Sequence, residues 1–166
     1  MFLEVRWSRR RCRGAGRFGW HTVAMLRNRS APPVSVTPVL TYPDVGEAVT
    51  WLCRVFGFVE HVRIGDHRAQ LGFRDGALIV ADDSHGRQSP DDSGVTQSVL
   101  IRVDDVDRHH VAAQSVGAVI VSPPTDMPFG ERQYSVRDPA GHHWTVTQSI
   151  ADVAPEDWGG ETVQPW

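Results

Sequence analysis

Between residues 34 and 149 the chain switches repeatedly between two hydrophobic periods. Val45, Ala48, Val49, Leu52 and Phe56 recur at i, i+3, i+4, i+7 and i+11, the spacing of one helical face. Asp44 stands where a helix N-cap is wanted and Gly57 where a helix stops. A weaker stripe of Val106, Ala113 and Val116 repeats the pattern about sixty residues later, entered at Asp105 and ended at Gly117. Alternating segments predict a strand before each helix, over 34–41 and 95–103. Three more follow each helix: 58–64, 67–73 and 77–82, then 118–122, 131–137 and 142–148. Each half reads βαβββ, and the stretch 83–94 links them. Asp75-Gly76 predicts a two-residue hairpin turn, and the segment from Asp138 to Gly141 a longer turn at the same place in the second half.

Side chains alternate along a strand, and only one face of each can pack under the helices. On that rule Val36, Pro38, Leu40, Ala69, Leu71, Phe73, Ala77, Ile79, Val99, Ile101, Val103, Tyr134, Val136, Trp144 and Val146 pack inward. The opposite face then carries Thr37, Val39, Thr41, Arg68, Gln70, Leu78, Val80, Ser98, Leu100, Arg102, Gln133, Ser135, Arg137, His143, Thr145 and Thr147.

Composition places this pattern in one globular domain. The 166 residues are 40% apolar and 22% charged, and no uninterrupted apolar run reaches the ~18 residues of a spanning helix, which argues against a membrane role. The net charge of −3 hides an asymmetry. Residues 1–30 hold eight arginines against Glu4, a charge of +7, whereas the other nine arginines face nineteen acids, a charge of −10. An acidic folded part argues against nucleic acid as partner. Residues 1–33 read as a basic, disordered leader for which Met25 is an alternative start, and 150–166 as a tail pinned by Trp158. Cys12 and Cys53 support neither a disulfide framework nor a thiolate zinc site, so a reducing cytoplasm fits best.

The duplication becomes specific in the helix entry Tyr42-Pro43-Asp44, in Trp51 to Phe58, in Val103 to Asp107 and above all in Gly130 to Trp144. With these segments the chain resembles the vicinal oxygen chelate superfamily of glyoxalases, bleomycin resistance proteins and extradiol dioxygenases. The resemblance covers about residues 34–149, as modules 34–82 and 95–149. It implies an α+β fold in which tandem βαβββ modules form an open, cupped eight-stranded mixed sheet with helices outside. In that family a divalent metal sits in the cup, one ligand near the start of each module and one on its last strand. The matching positions here are Thr37, Val80, Ser98 and Thr145. None is an imidazole, carboxylate or thiolate, the donors a transition metal prefers.

What the resemblance then implies is a metal-independent protein, with no cofactor, that holds a small organic ligand in the cup. Thr37, Gln70, Ser98, Gln133, Ser135, His143 and Thr145 would line the site, with no catalytic residue assigned. One alternative is a glyoxalase-like lyase or isomerase, or a dioxygenase-like enzyme, with an atypical divalent metal site or acid–base chemistry through His143. A third reading is a homodimeric module, since cups in this family are often completed by a second chain.

The remaining candidates are weaker. Adjacent residues of a helix or strand diverge, so neither His109–His110 nor His142–His143 chelates as a pair. The first pair is expected to be solvated, and His142 to make a structural hydrogen bond. Arg68, Arg102 and Arg137 on the free face suit an anionic or amide ligand, or else pair with Asp104, Asp138 or Glu131. The Pro123–Gly130 segment reads as a loop over the cup. The free-face hydroxyls lack a base at any recognisable spacing, so nucleophilic catalysis is not indicated.

Overall fold

Both helices are fixed at their entrances by a side chain chosen for that job. Asp44 Oδ1 accepts from the Glu47 amide at 2.8 Å and Asp105 Oδ1 from the Arg108 amide at 2.9 Å, each satisfying an amide that has no intrahelical partner. The computed structural model describes residues 28–84, 86–90 and 97–163. The basic segment up to residue 27, with Cys12 and Met25, and positions 91–94 of the connection lie outside the described residues.

Helix α1 spans Val45–Phe56 and ends on Gly57, whose φ of 79° is the left-handed region that closes helices. Helix α2 spans Val106–Ser115. The strands are β1 (Val39–Thr41), β2 (Val59–Ile64), β3 (Arg68–Phe73), β4 (Gly76–Ala81), β5 (Ser98–Arg102), β6 (Val119–Asp126), β7 (Glu131–Arg137) and β8 (His143–Ser149). The order is βαβββ twice over, as the periodicity predicts. The eight strands are divided between two four-stranded mixed sheets, β1-β4-β3-β2 and β5-β8-β7-β6, and no strand of one lies beside a strand of the other among the described residues. In each sheet the first strand runs parallel to the last, and the rest are antiparallel.

The turn between β3 and β4 is Arg74-Asp75 rather than Asp75-Gly76, because Gly76 already pairs with Phe73, and two strands depart clearly from their expected bounds. β1 is short, because Pro38 has no amide to give a ladder, and Val36 and Pro38, expected to pack inward, lie ahead of the strand and are exposed. β6 runs on through Pro123 and Pro124 to Asp126, so the expected loop shrinks to Met127–Gly130; a register shift between Ser122 and Thr125 absorbs the prolines.

Each helix lies on one face of its own sheet, and the two helices touch, so both halves share a single core. Phe56, at the end of α1, packs at 4.8 Å from Trp144 of β8 and stacks on His109 of α2 at 6.0 Å. Phe58 adds a contact with Trp144 at 5.9 Å. Polar groups tie the same junction. Asp138, 3% exposed, accepts from Tyr42 Oη, Trp144 Nε1 and the His142 amide, and the His142 ring bonds the Thr41 carbonyl. At the other end of the strands Arg74 pairs with Asp104 at 2.7 Å.

The faces fall as the alternation rule predicts on β1, β3, β5, β7 and β8 and are reversed on β4. Ala69 pairs with Val80 and Leu71 with Leu78, and residues directly opposite share a face. Leu78 and Val80 therefore pack inward, while Ala77, Ile79 and Ala81 lie on the helix-free face with Gln70 and Arg68. The reason is visible in burial. From Leu78 to Ala81 every residue is buried, so an all-apolar strand carries no polar position to betray its phase.

Helix-free-face residues of the first sheet are buried too. Gln70 is 8% exposed, and its Nε2 donates to the Ser30 carbonyl at 3.0 Å, which fastens the segment ahead of β1 to β3. At the far end Trp158 of the short 3-10 turn Pro155–Trp158 meets Phe129 at 5.5 Å.

Candidate functional site

The helix-free face of the second sheet gathers five of the seven residues that sequence reasoning proposed. Ser98 lies opposite His143 across the β5–β8 ladder, and Thr145 opposite Ser135 across β7–β8. Gln133, opposite Thr147, is two residues along β7. Ser98 is exposed and the other four are half-buried, with Leu100 51% exposed beside them. Thr37 and Gln70 belong to the first sheet. Thr37 is half-buried two residues ahead of β1, and the Gln70 amide already serves Ser30.

The face also carries a carboxylate absent from the sequence-based set. Glu131, the first residue of β7, has a side chain only 17% exposed and accepts three polar side chains. Arg102 reaches Oε1 at 2.6 Å, while Thr147 Oγ1 and Gln133 Nε2 reach Oε2 at 2.7 and 2.8 Å. Arg102 also donates to Ser149 Oγ at 2.6 Å. Burial raises the Glu131 carboxyl, but the donations from Thr147 and Gln133 and the Arg102 charge outweigh it and hold the group below its usual range. The signal available in sequence was parity: Glu131 shares its phase with Gln133 and Ser135.

The metal-ligand positions must be remapped, because β4 is turned by one residue. Leu100 pairs with Thr145 in the second sheet, and its counterpart Val39 pairs with Ile79 in the first. The residue facing outward at the fourth position is thus Ile79, and Val80 is core. The set Thr37, Ile79, Ser98 and Thr145 offers hydroxyls and a hydrocarbon, which does not fit a transition metal. No group of three or more His, Cys, Asp or Glu suited to a metal occurs among the described residues.

The helix histidines are not the solvated pair expected. His109 Nδ1 bonds Tyr134 Oη at 2.7 Å, its ring stacks on Phe56, and burial lowers its basicity. His110 meets the Tyr134 ring edge-on at 5.2 Å. The pair is part of the junction between the halves. A groove of about 330 Å³ also opens there, lined by Phe58, Phe73, Leu78, Val99 and Ile101 with Arg74 and Arg102 at its margin. No helix among the described residues is long and apolar enough to cross a membrane.

Comparison with known proteins bears on this architecture. The structure of TioX from Micromonospora sp. ML1 is 36% identical and superposes with a TM-score of 0.60, over 70% of this chain and all of that one. An uncharacterized protein of Mycobacterium tuberculosis is 27% identical over 130 residues, 72% of this chain and 76% of its own. A glyoxalase/bleomycin resistance protein/dioxygenase from Nocardioides, 19% identical, shares the fold at a TM-score of 0.60, over 82% of this chain and 92% of that one. The family model for the Glyoxalase/Bleomycin resistance protein/Dioxygenase superfamily matches residues 35–146, two βαβββ modules and the turn between β7 and β8 included, and the chain belongs to that superfamily.

Proposed function

We propose that this protein binds a small organic molecule without a metal, on the helix-free face of its second sheet. The observation that carries the reading is the residue set there. Ser98, Gln133, Ser135, His143 and Thr145 supply hydrogen-bonding groups beside the apolar Leu100, while the positions at which the family holds its metal carry Thr37, Ile79, Ser98 and Thr145. A few convergent polar groups against an apolar surface is the make-up of a small-molecule site. A lyase, isomerase or dioxygenase would need a base or a metal on this face. Among the described residues of the face, Glu131 is tied to three donors and held ionised, which makes it a poor proton acceptor and leaves His143 as the group through which that alternative would act.

The binding unit is a homodimer in this reading. The outer edges of β1 and β5 are unpaired among the described residues, and Val39, Val59, Ile64, Leu100 and Val119 on the helix-free faces are 41–57% exposed. A second copy laid on these faces removes that surface from water and brings a first-sheet face, with Thr37 and Gln70, to a second-sheet face.

The test is a melting-temperature titration of untagged protein with Mn²⁺, Ni²⁺, Zn²⁺, Fe²⁺ and chelator, together with sedimentation equilibrium and a fragment screen followed by NMR. A ligand that binds the native state raises the melting temperature by linkage. Indifference to metal, a dimer, and fragment-induced shifts on β5, β7 and β8 are expected. Stoichiometric copurifying metal whose removal lowers the melting temperature overturns the reading in favour of the enzyme.

A further inference from the structure

Glu131 does more on this face than occupy a strand end. A carboxylate only accepts, so the Gln133 amide must turn its NH₂ toward it, and the 2.8 Å contact from Nε2 to Oε2 fixes that orientation. The Gln133 carbonyl oxygen is then left for a donor from outside, and no donor among the described residues meets it. Thr147, fully buried, spends its hydroxyl proton on the same Oε2. The Arg102 guanidinium, half-exposed at the rim, is held by Oε1 and by Ser149. The face thus shows an outward acceptor beside a cation already matched by an anion. Without Glu131 the same residues would present an unpaired guanidinium and a free-turning amide, a surface suited to a carboxylate.

We propose that Glu131 is the specificity-determining residue of this face: by orienting Gln133 and neutralising Arg102 it selects a neutral ligand bearing an N–H or O–H donor and rejects an anionic one. This rests on the ligand-binding reading of the same face and names the class of ligand. Glu131 acts as a positioning residue, through Gln133 and Arg102 rather than by touching the ligand.

Benzamide and benzoate, matched in shape and differing in amide against carboxylate, are the probes. Each is titrated to about 20 mM into isotope-labelled full-length protein, with shifts of β5, β7 and β8 amides as the readout. The wild type is expected to bind benzamide about ten-fold more tightly than benzoate. Glu131→Gln should bring the two within about two-fold or invert them, and should move the Gln133 side-chain NH₂ resonances, a change that loss of stability alone does not produce. Arg102→Gln, at an exposed position, serves as the second variant: with the Glu131 charge left unmatched it should weaken benzoate more than benzamide and widen the ratio between them. Binding at this face with benzoate preferred, or with a ratio and Gln133 resonances unmoved by Glu131→Gln, overturns the inference alone. Binding of neither probe overturns the ligand reading of the face and the inference with it.

Discussion

Tyr42 Oη donates to Asp138 Oδ2 at 2.7 Å across 96 residues of sequence, joining the end of the first strand of one half to the β7–β8 turn of the other. The same oxygen takes the Trp144 indole proton at 3.0 Å. Both burial and the Asp138 charge push the Tyr42 hydroxyl far above its usual range, so it stays a donor at every accessible pH.

Asp138→Ala leaves a buried phenol and a buried indole without their acceptor. It should cost ~3–5 kcal/mol in urea unfolding. Tyr42→Phe, which leaves Asp138 three other donors, should cost only ~1–2 kcal/mol.

Stability should fall as pH drops below about 6.5, the ordinary histidine value, because of His109. Above that pH the ring is neutral folded and unfolded. Below it the unfolded chain takes a proton that the folded chain, with its ring against Phe56 and Tyr134, does not. His109→Gln should flatten the unfolding free energy between about pH 6.5 and 5, measured by urea titration at each pH. Glu131, lowered rather than raised, contributes its own loss only as pH falls below about 4.5.

Gly130→Ala is expected to be among the most damaging single-methyl changes in the chain. The residue sits at φ 81°, and an added Cβ would collide with the Ala151 carbonyl oxygen, a backbone atom that also belongs to the turn after β8. A loss above ~2 kcal/mol is expected. Gly72→Ala provides the contrast: its Cβ would meet only the tip of the exposed His61 ring at 2.6 Å, which can swing away, so the melting temperature should change far less.

Removing residues 1–33 takes away the carbonyl that the Gln70 amide bonds. The truncated protein should melt lower by the equivalent of ~1 kcal/mol and bind more of an apolar dye such as anilinonaphthalene sulfonate, if the segment that Gln70 fastens also covers the buried Ile79 and Ala81 beside it. Unchanged dye fluorescence would place the cover elsewhere.

What was legible in the sequence follows from how much polarity each element retains. Both helix entrances, the duplication and five strand faces were written in Asp44, Asp105 and strands that alternate. β4 was illegible because Leu78, Ile79, Val80 and Ala81 are buried on both faces, and because a two-residue turn in one half answers a longer one in the other. The site's five central residues followed from parity alone. Glu131 was passed over as a partner for arginine, since nothing local says that Thr147 and Gln133 converge on it from neighbouring positions of a ladder. His109 was misread for a related reason: its burial comes from Phe56, fifty-three residues away, which no helical stripe on α2 records.

The single core beneath both sheets has a consequence for the chain as a duplicated object. Phe56 and Phe58 end the first helix against a tryptophan of the second half, and Asp138 is answered by a tyrosine of the first. What holds the halves together is therefore side-chain contact rather than the peptide between Ser84 and Gln97. Severing that peptide should yield two fragments that co-purify and complement one another, whereas either alone would be left with half an aromatic cluster open to water.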